Sequence, residues 1–106
     1  MVKEILTAAG FVENKTFKET RFLRPPKETY AVFLRSYSRR GADDRNFVTE
    51  CQNSIELYSY APDADAESRI ETALDVRGIP YERSERFWLD TEQLYQVVFD
   101  FDYIKK

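Results

Sequence analysis

From Leu94 to Ile104 the chain alternates without a break. Tyr95, Val97, Phe99, Phe101 and Tyr103 fall on one side; Leu94, Gln96, Val98, Asp100 and Asp102 fall on the other. Successive side chains of a strand point to opposite faces, so this is a strand with one dry aromatic face and one wet face. Such a strand is stable only in a sheet whose dry face is covered by a second layer. An α+β domain with helices packed on one face of an antiparallel sheet is therefore expected.

Two segments have the spacing to supply that layer. Val2, Ile5, Leu6 and Ala9 recur at helical intervals and are followed by Gly10-Phe11. Ala66, Ile70, Ala73 and Leu74 do the same and are followed by Gly78-Ile79-Pro80. A Gly just past the last periodic residue, with an apolar residue after it, marks a helix C-terminus. The shared ending is too short for an internal repeat. Asp63 is the expected N-cap of the second helix, with Asp65 and Glu67 in its first turn, where carboxylates favour the positive end of the dipole.

The remaining strands follow from alternation. Tyr30 to Tyr37 divides into Tyr30, Val32, Leu34 and Ala31, Phe33, Arg35, Tyr37. Arg21 to Arg24 is expected to pair with it as a hairpin through the turn Pro25–Glu28, with residues 11–20 extended. Phe47 to Tyr60 is a long strand in which Cys51, Asn53, Ile55, Leu57 and Ser59 share a face. Tyr81 to Leu89 reads as one strand, joined to the last by the turn Asp90-Thr91-Glu92-Gln93. Ser38 to Asn46 has no apolar side chain beyond Ala42 and reads as an exposed loop. The expected order is α-β-β-β-α-β-β, in one domain covering residues 1–106.

Composition narrows the chemistry. The chain has no His, one Cys and a net charge of −3 from 16 basic and 19 acidic residues. Without His there is no Ser-His-Asp triad, Cys-His pair or His-containing zinc site. Cys51 alone makes no intramolecular disulfide, and its parity with Ile55 and Leu57 favours a small core residue. No run approaches the roughly 18 apolar residues of a membrane span. MVKEILTAAG lacks the apolar core of a signal peptide, so folding in a reducing cytoplasm is expected. Mild acidity disfavours nonspecific nucleic-acid binding. No Gly-rich phosphate loop exists, because the three glycines are far apart.

Three groupings remain. Asp100 and Asp102 share a strand face and, with Glu92, are the carboxylates that a Mg²⁺-dependent hydrolase or nuclease would use; the simpler reading is a solvated strand face. Asp63 to Glu67 superficially resembles a calcium loop, but Ser68 and Leu74 stand where Gly and Glu are needed. Arg39, Arg40, Gly41, Asp43, Asp44 and Arg45, with Arg35 nearby, make a basic loop in an acidic chain. It suits an acidic partner surface, or nucleic acid in a third reading, or is an ordinary charged loop. Tyr58, Tyr60 and Trp88 fall off the predicted core faces, as interface aromatics do; equally, flanking loops can cover them.

Read together, YAVFLRSYSRRGADDRN (30–46), SIELYSYAPDADAESRIETAL (54–74) and GIPYERSERFWLDTEQLYQVVFDFDYIKK (78–106) resemble the small tail-terminator, or head–tail completion, proteins of long-tailed phages and prophages of Gram-positive bacteria. The resemblance lies in element order and aromatic strand patterns rather than in a catalytic motif. It implies an α+β structural protein with no enzymatic activity, no cofactor and no metal. It implies a ring of copies, commonly a hexamer, that caps the tail tube and docks to the head connector. The implied partners are the chain itself, a tail-tube protein and a head-connector protein, with no membrane and no specific nucleic acid. The implied location is the host cytoplasm during assembly and then the virion neck. Ring and docking contacts in that family are loops and sheet edges, which here points to the 38–46 loop.

Overall fold

A computed structural model describes residues 2–40 and 48–105. The order is α1 (Val2–Ala8), β1 (Phe17–Glu19), β2 (Tyr30–Arg40), β3 (Val48–Ser59), α2 (Ala64–Val76), β4 (Glu82–Arg83), β5 (Phe87–Leu89) and β6 (Leu94–Lys105). The strands form one sheet in the order β1-β2-β3-β6-β4, with β5 also pairing β6. It is an α+β fold with both helices on one face, and the core holds residues from both layers.

Both helices end in the same way, and the repeated Gly-plus-apolar signature is the reason. Gly10 and Gly78 adopt φ of +96° and +65°. The N–H of Phe11 bonds to the Leu6 carbonyl and that of Gly10 to Thr7; Ile79 bonds to Leu74 and Gly78 to Asp75. These pairs satisfy carbonyls that the last turn would leave without a partner, and only Gly enters the left-handed region at little cost. At the other end of α2, Asp63 accepts from the Ala66 N–H at 3.0 Å and from the Thr29 hydroxyl at 2.6 Å. The cap therefore also ties α2 to the start of β2. The Thr29 bond holds the Asp63 carboxyl below its ordinary range, against the opposing effect of burial.

The buried stripes expected of both helices are observed, as is the expected alternation over residues 53–59 and 97–101; the side chains of Cys51 and Tyr103, expected on the same face, lie outside the described residues. Val2, Ile5, Leu6, Ala66, Ile70 and Leu74 meet Ala31, Phe33, Ile55, Leu57, Val97, Phe99 and Phe101, all buried. Asn53 and Ser59 lie buried on the same face of β3.

Two strand expectations are corrected. Arg21–Arg24 is not a strand, and no Pro25–Glu28 hairpin forms. Instead β1 pairs with β2 in parallel, Phe17 opposite Ala31 and Glu19 opposite Phe33, so the sheet is mixed rather than antiparallel. Phe17 decides this. Fully buried, it packs on Phe33 at a ring separation of 6.1 Å, while Leu23 is exposed. A parallel neighbour needs a long return connection, and residues 20–29 supply it. Along the way Phe22 meets Tyr30 edge-on on the other sheet face.

Residues 81–89 are also not one strand. β4 pairs with β6 at Asp100 and Phe99, and β5 pairs at Gln96 to Leu94. Between them the chain leaves strand geometry. Arg83 and Arg86, three apart, would point to opposite faces of a regular strand. The break lets both reach one carboxylate.

Candidate assembly surface

A 12-residue strand spans about 40 Å, whereas the 13-residue helix α2 spans only about 20 Å. The helical layer is thus shorter than the sheet, and the molecule measures 48 × 28 × 25 Å. Past Phe33, Asn53 and Phe101, β2, β3 and β6 continue as a three-stranded blade. Its pairing runs from Arg35–Asn53 to Arg40–Val48 on one side and from Asn53–Phe101 to Thr49–Lys105 on the other.

The blade changes the reading of the basic loop. Ser38, Arg39 and Arg40 are not in a loop; they are strand residues opposite Glu50, Thr49 and Val48. Strand pairing already in progress carries β2 past the point where its sequence turns polar. Gly41, Asp43, Asp44 and Arg45 lie outside the described residues.

Both outer edges of the blade are open among the described residues. β1 pairs with β2 only as far as Phe33, and β4 with β6 only as far as Asp100. Hydrogen bonds identify which main-chain groups face outward. The Phe33 carbonyl accepts from Thr20 N–H, away from β3, and the Ala31 N–H donates to Thr16. Odd-numbered residues of β2 therefore direct their backbone outward, which extends to Arg35, Tyr37 and Arg39. Val98 exchanges bonds with Ser84, also away from β3. Even-numbered residues of β6 face outward, which extends to Asp102 and Ile104.

On the sheet face away from the helices, Leu34, Gln52, Ser54, Asp100 and Asp102 line a shallow hollow of about 320 Å³. The Ser54 hydroxyl donates to Asp100. Asp100 and Asp102 are both exposed, as an alternating wet face requires. Glu92 is not among the residues lining this hollow. No group of three or more His, Cys, Asp or Glu side chains suited to a metal ion occurs among the described residues.

The outward aromatics divide. Tyr30 and Tyr58 stack at 5.2 Å and, with Phe22, Val32 and Leu94, form a small second cluster on this face. Tyr58 donates to Glu56 at 2.9 Å and accepts from Gln96 at 3.0 Å. Burial, helped by the bond to Glu56, pushes its hydroxyl up to about 12. Tyr60, Phe87 and Trp88 remain about half exposed. The loop-covered reading thus holds for Tyr58, and the exposed reading for Tyr60 and Trp88.

One polar centre escapes a reading confined to helix capping. Glu67 is only 5% exposed. Arg83 reaches it at 3.1 Å and Arg86 at 2.7 and 3.1 Å. Arg83 also holds Glu71 at 2.9 Å, and Tyr81 donates to Glu71 at 3.0 Å. Burial alone would raise the Glu67 carboxyl; the two guanidinium groups outweigh it and hold it below its ordinary value. The same contact raises Arg86. The signal was present in the spacing 67, 70, 74, which places Glu67 on the buried stripe. This cluster joins α2 to the β4–β5 segment and is structural.

No protein-family model and no curated protein matches the chain. No helix among the described residues is long and apolar enough to cross a membrane.

Proposed function

We propose that the chain is a structural assembly subunit that forms a ring, in the manner of a phage tail terminator. In that role it caps a tail tube in the virion neck and docks it to a head connector. The observation that supports this reading is the blade. Among the described residues, β2, β3 and β6 pair on past the ends of β1 and β4, so the two outer strands there have no further strand beside them. Natural monomers usually shorten, bulge or cover such edges, so two long open edges fit a subunit that meets neighbours. Asp100 and Asp102 are then the wet side of that blade, and the chain has no catalytic role.

Light scattering with negative-stain imaging of the purified chain tests the reading. Rings are expected, at raised concentration if not in dilute solution. A chain that stays monomeric at its solubility limit, and does not join heads to tails in a complementation assay, overturns it. The variant Arg39→Ala/Arg40→Ala/Arg45→Ala is expected to keep its melting temperature and lose ring assembly or head–tail joining. Guanidinium contacts across an interface set orientation and rate and weaken with salt, so wild-type assembly is expected to fall as salt rises.

A further inference from the structure

We infer that residues 21–28 form a strap, hinged on a strained turn at Thr20, that lifts off the sheet face away from the helices while the rest of the fold stays intact. The inference concerns the single subunit and is independent of the assembly reading. Three observations carry it.

The first is the hinge. Just past the Glu19–Phe33 pair of β1 and β2, Thr20 donates its N–H to the Phe33 carbonyl at 2.9 Å. The next N–H, of Arg21, turns back to the Glu19 carbonyl at 2.9 Å. The residue enclosed by that bond is Thr20, with a φ of +73°. A three-residue turn with positive φ at its centre is the rare, strained form of the γ-turn. Gly enters it at little cost, whereas a β-branched residue does not. Asn14 and Gln93 also have positive φ, but neither is branched at Cβ. The turn takes the chain out of line with β1 and sends it across the sheet, where Phe22 meets Tyr30.

The second is how few attachments the strap has. Phe22 packs on the cluster of Tyr30, Val32 and Leu94, and the Tyr60 hydroxyl donates to the Pro26 carbonyl at 2.8 Å. Among the described residues, no main-chain group of residues 22–28 bonds to another main-chain group. Leu23 is 78% exposed. Pro25 and Pro26 fix φ in the middle of the segment, so it moves as one piece. The third is the fit. A hollow of about 180 Å³ lies between Arg21, Phe22 and Pro25 of the strap and Val32, Glu56 and Tyr58 of the sheet. The two surfaces are thus not close-packed along their length. Segments with few buried contacts and an unbonded backbone are those that open below global unfolding. Closed, the strap keeps Tyr30, Val32 and Leu94 buried. Open, it exposes a second apolar surface that the native chain shows only in a minor population.

Native-state thiol labelling with methyl methanethiosulfonate tests this. Cys51→Ala removes the one thiol of the chain. In that background Val32→Cys places a thiol under the strap and Val97→Cys places one under the helices, at two valines that are both buried. Val97→Cys is expected to label only through global unfolding, with its steep dependence on urea. Val32→Cys is expected to label through an opening that changes little with urea, on the order of tenfold or more faster in dilute urea. Adding Thr20→Gly is expected to slow Val32→Cys labelling by on the order of fivefold, because Gly relieves the turn in the closed state, less what its greater freedom returns to the open one. Leu94→Cys, in the same cluster, reports the same opening where Val32→Cys does not fold.

Equal urea dependence at Val32→Cys and Val97→Cys would show one cooperative unit and overturn the inference. So would labelling of Val32→Cys at the rate of a freely exposed thiol, since the strap would then not cover the sheet in the native state. Labelling that Thr20→Gly leaves as fast as before would place the hinge elsewhere and also overturn it.

Discussion

Arg86 grips Glu67 with two hydrogen bonds, Nε to Oε2 at 2.7 Å and Nη2 to Oε1 at 3.1 Å, across 19 residues of sequence. Arg83 adds a third to the same carboxylate. A buried carboxylate answered by three donors is stable where a lone one would not be. The two arginine side chains are about one-third exposed, which screens the pair and reduces what it contributes.

Glu67→Ala should therefore destabilise the fold by about 1–3 kcal/mol, mainly by taking from Arg86 its carboxylate and leaving Arg83 with Glu71 alone. Urea unfolding checks this. Because the Glu67 carboxyl sits below its ordinary value in the folded state, its contribution is complete above pH 4.5 and is lost as pH falls through the depressed value. Melting temperature should drop on acidification below about pH 4.5, and the drop should be shallower in Glu67→Gln. An identical acid limb in the variant would contradict the assignment.

Alkaline behaviour should be carried by tyrosines. Tyr58 and Tyr81 are both raised from 10.0 to about 12, chiefly by burial, with Glu56 and Glu71 accepting their hydroxyls. A folded-state value above the unfolded one means the stabilisation is complete below pH 10 and declines as pH rises toward 12. Thermal melts between pH 9 and 12 should show this decline. Tyr58→Phe and Tyr81→Phe should each flatten it.

Phe99 is fully buried at the centre of β6, opposite Ile55, and contacts the Tyr81 ring at 6.3 Å. Phe99→Ala should cost roughly 3–5 kcal/mol through lost burial and the cavity left behind. Equilibrium unfolding measures it, and a soluble variant with unchanged stability would place the residue outside the core.

Mg²⁺ or Mn²⁺ should not shift the melting temperature, since Asp100 and Asp102 are read as a solvated strand face. An ion bound only by the folded state must raise it by mass action. A rise abolished in Asp100→Asn/Asp102→Asn would return the hydrolase reading.

Much of this architecture is legible from short stretches of sequence. The dry face of β6, the buried stripe of α2, the Asp63 cap and both glycine endings each follow from residues within one or two turns of one another. Periodicity and capping are local effects, so a window of about ten residues contains their causes. The small aromatic cluster at Tyr30 and Tyr58 is half legible: alternation puts Tyr58 off the core face of its strand, but local pattern does not contain the residues that pack on it.

What only the tertiary structure decided is which distant partners meet. Phe17 won the place beside Phe33, turning an expected antiparallel hairpin into a parallel pair. Arg83 and Arg86 broke a strand in order to reach Glu67. Pairing with β3 carried β2 through Arg40, past the expected start of a loop. In each case the stabilising contact joins residues far apart in the chain. Local pattern determines which face of an element is dry, while the choice of neighbour depends on competition among all the faces and charges available in the folded molecule.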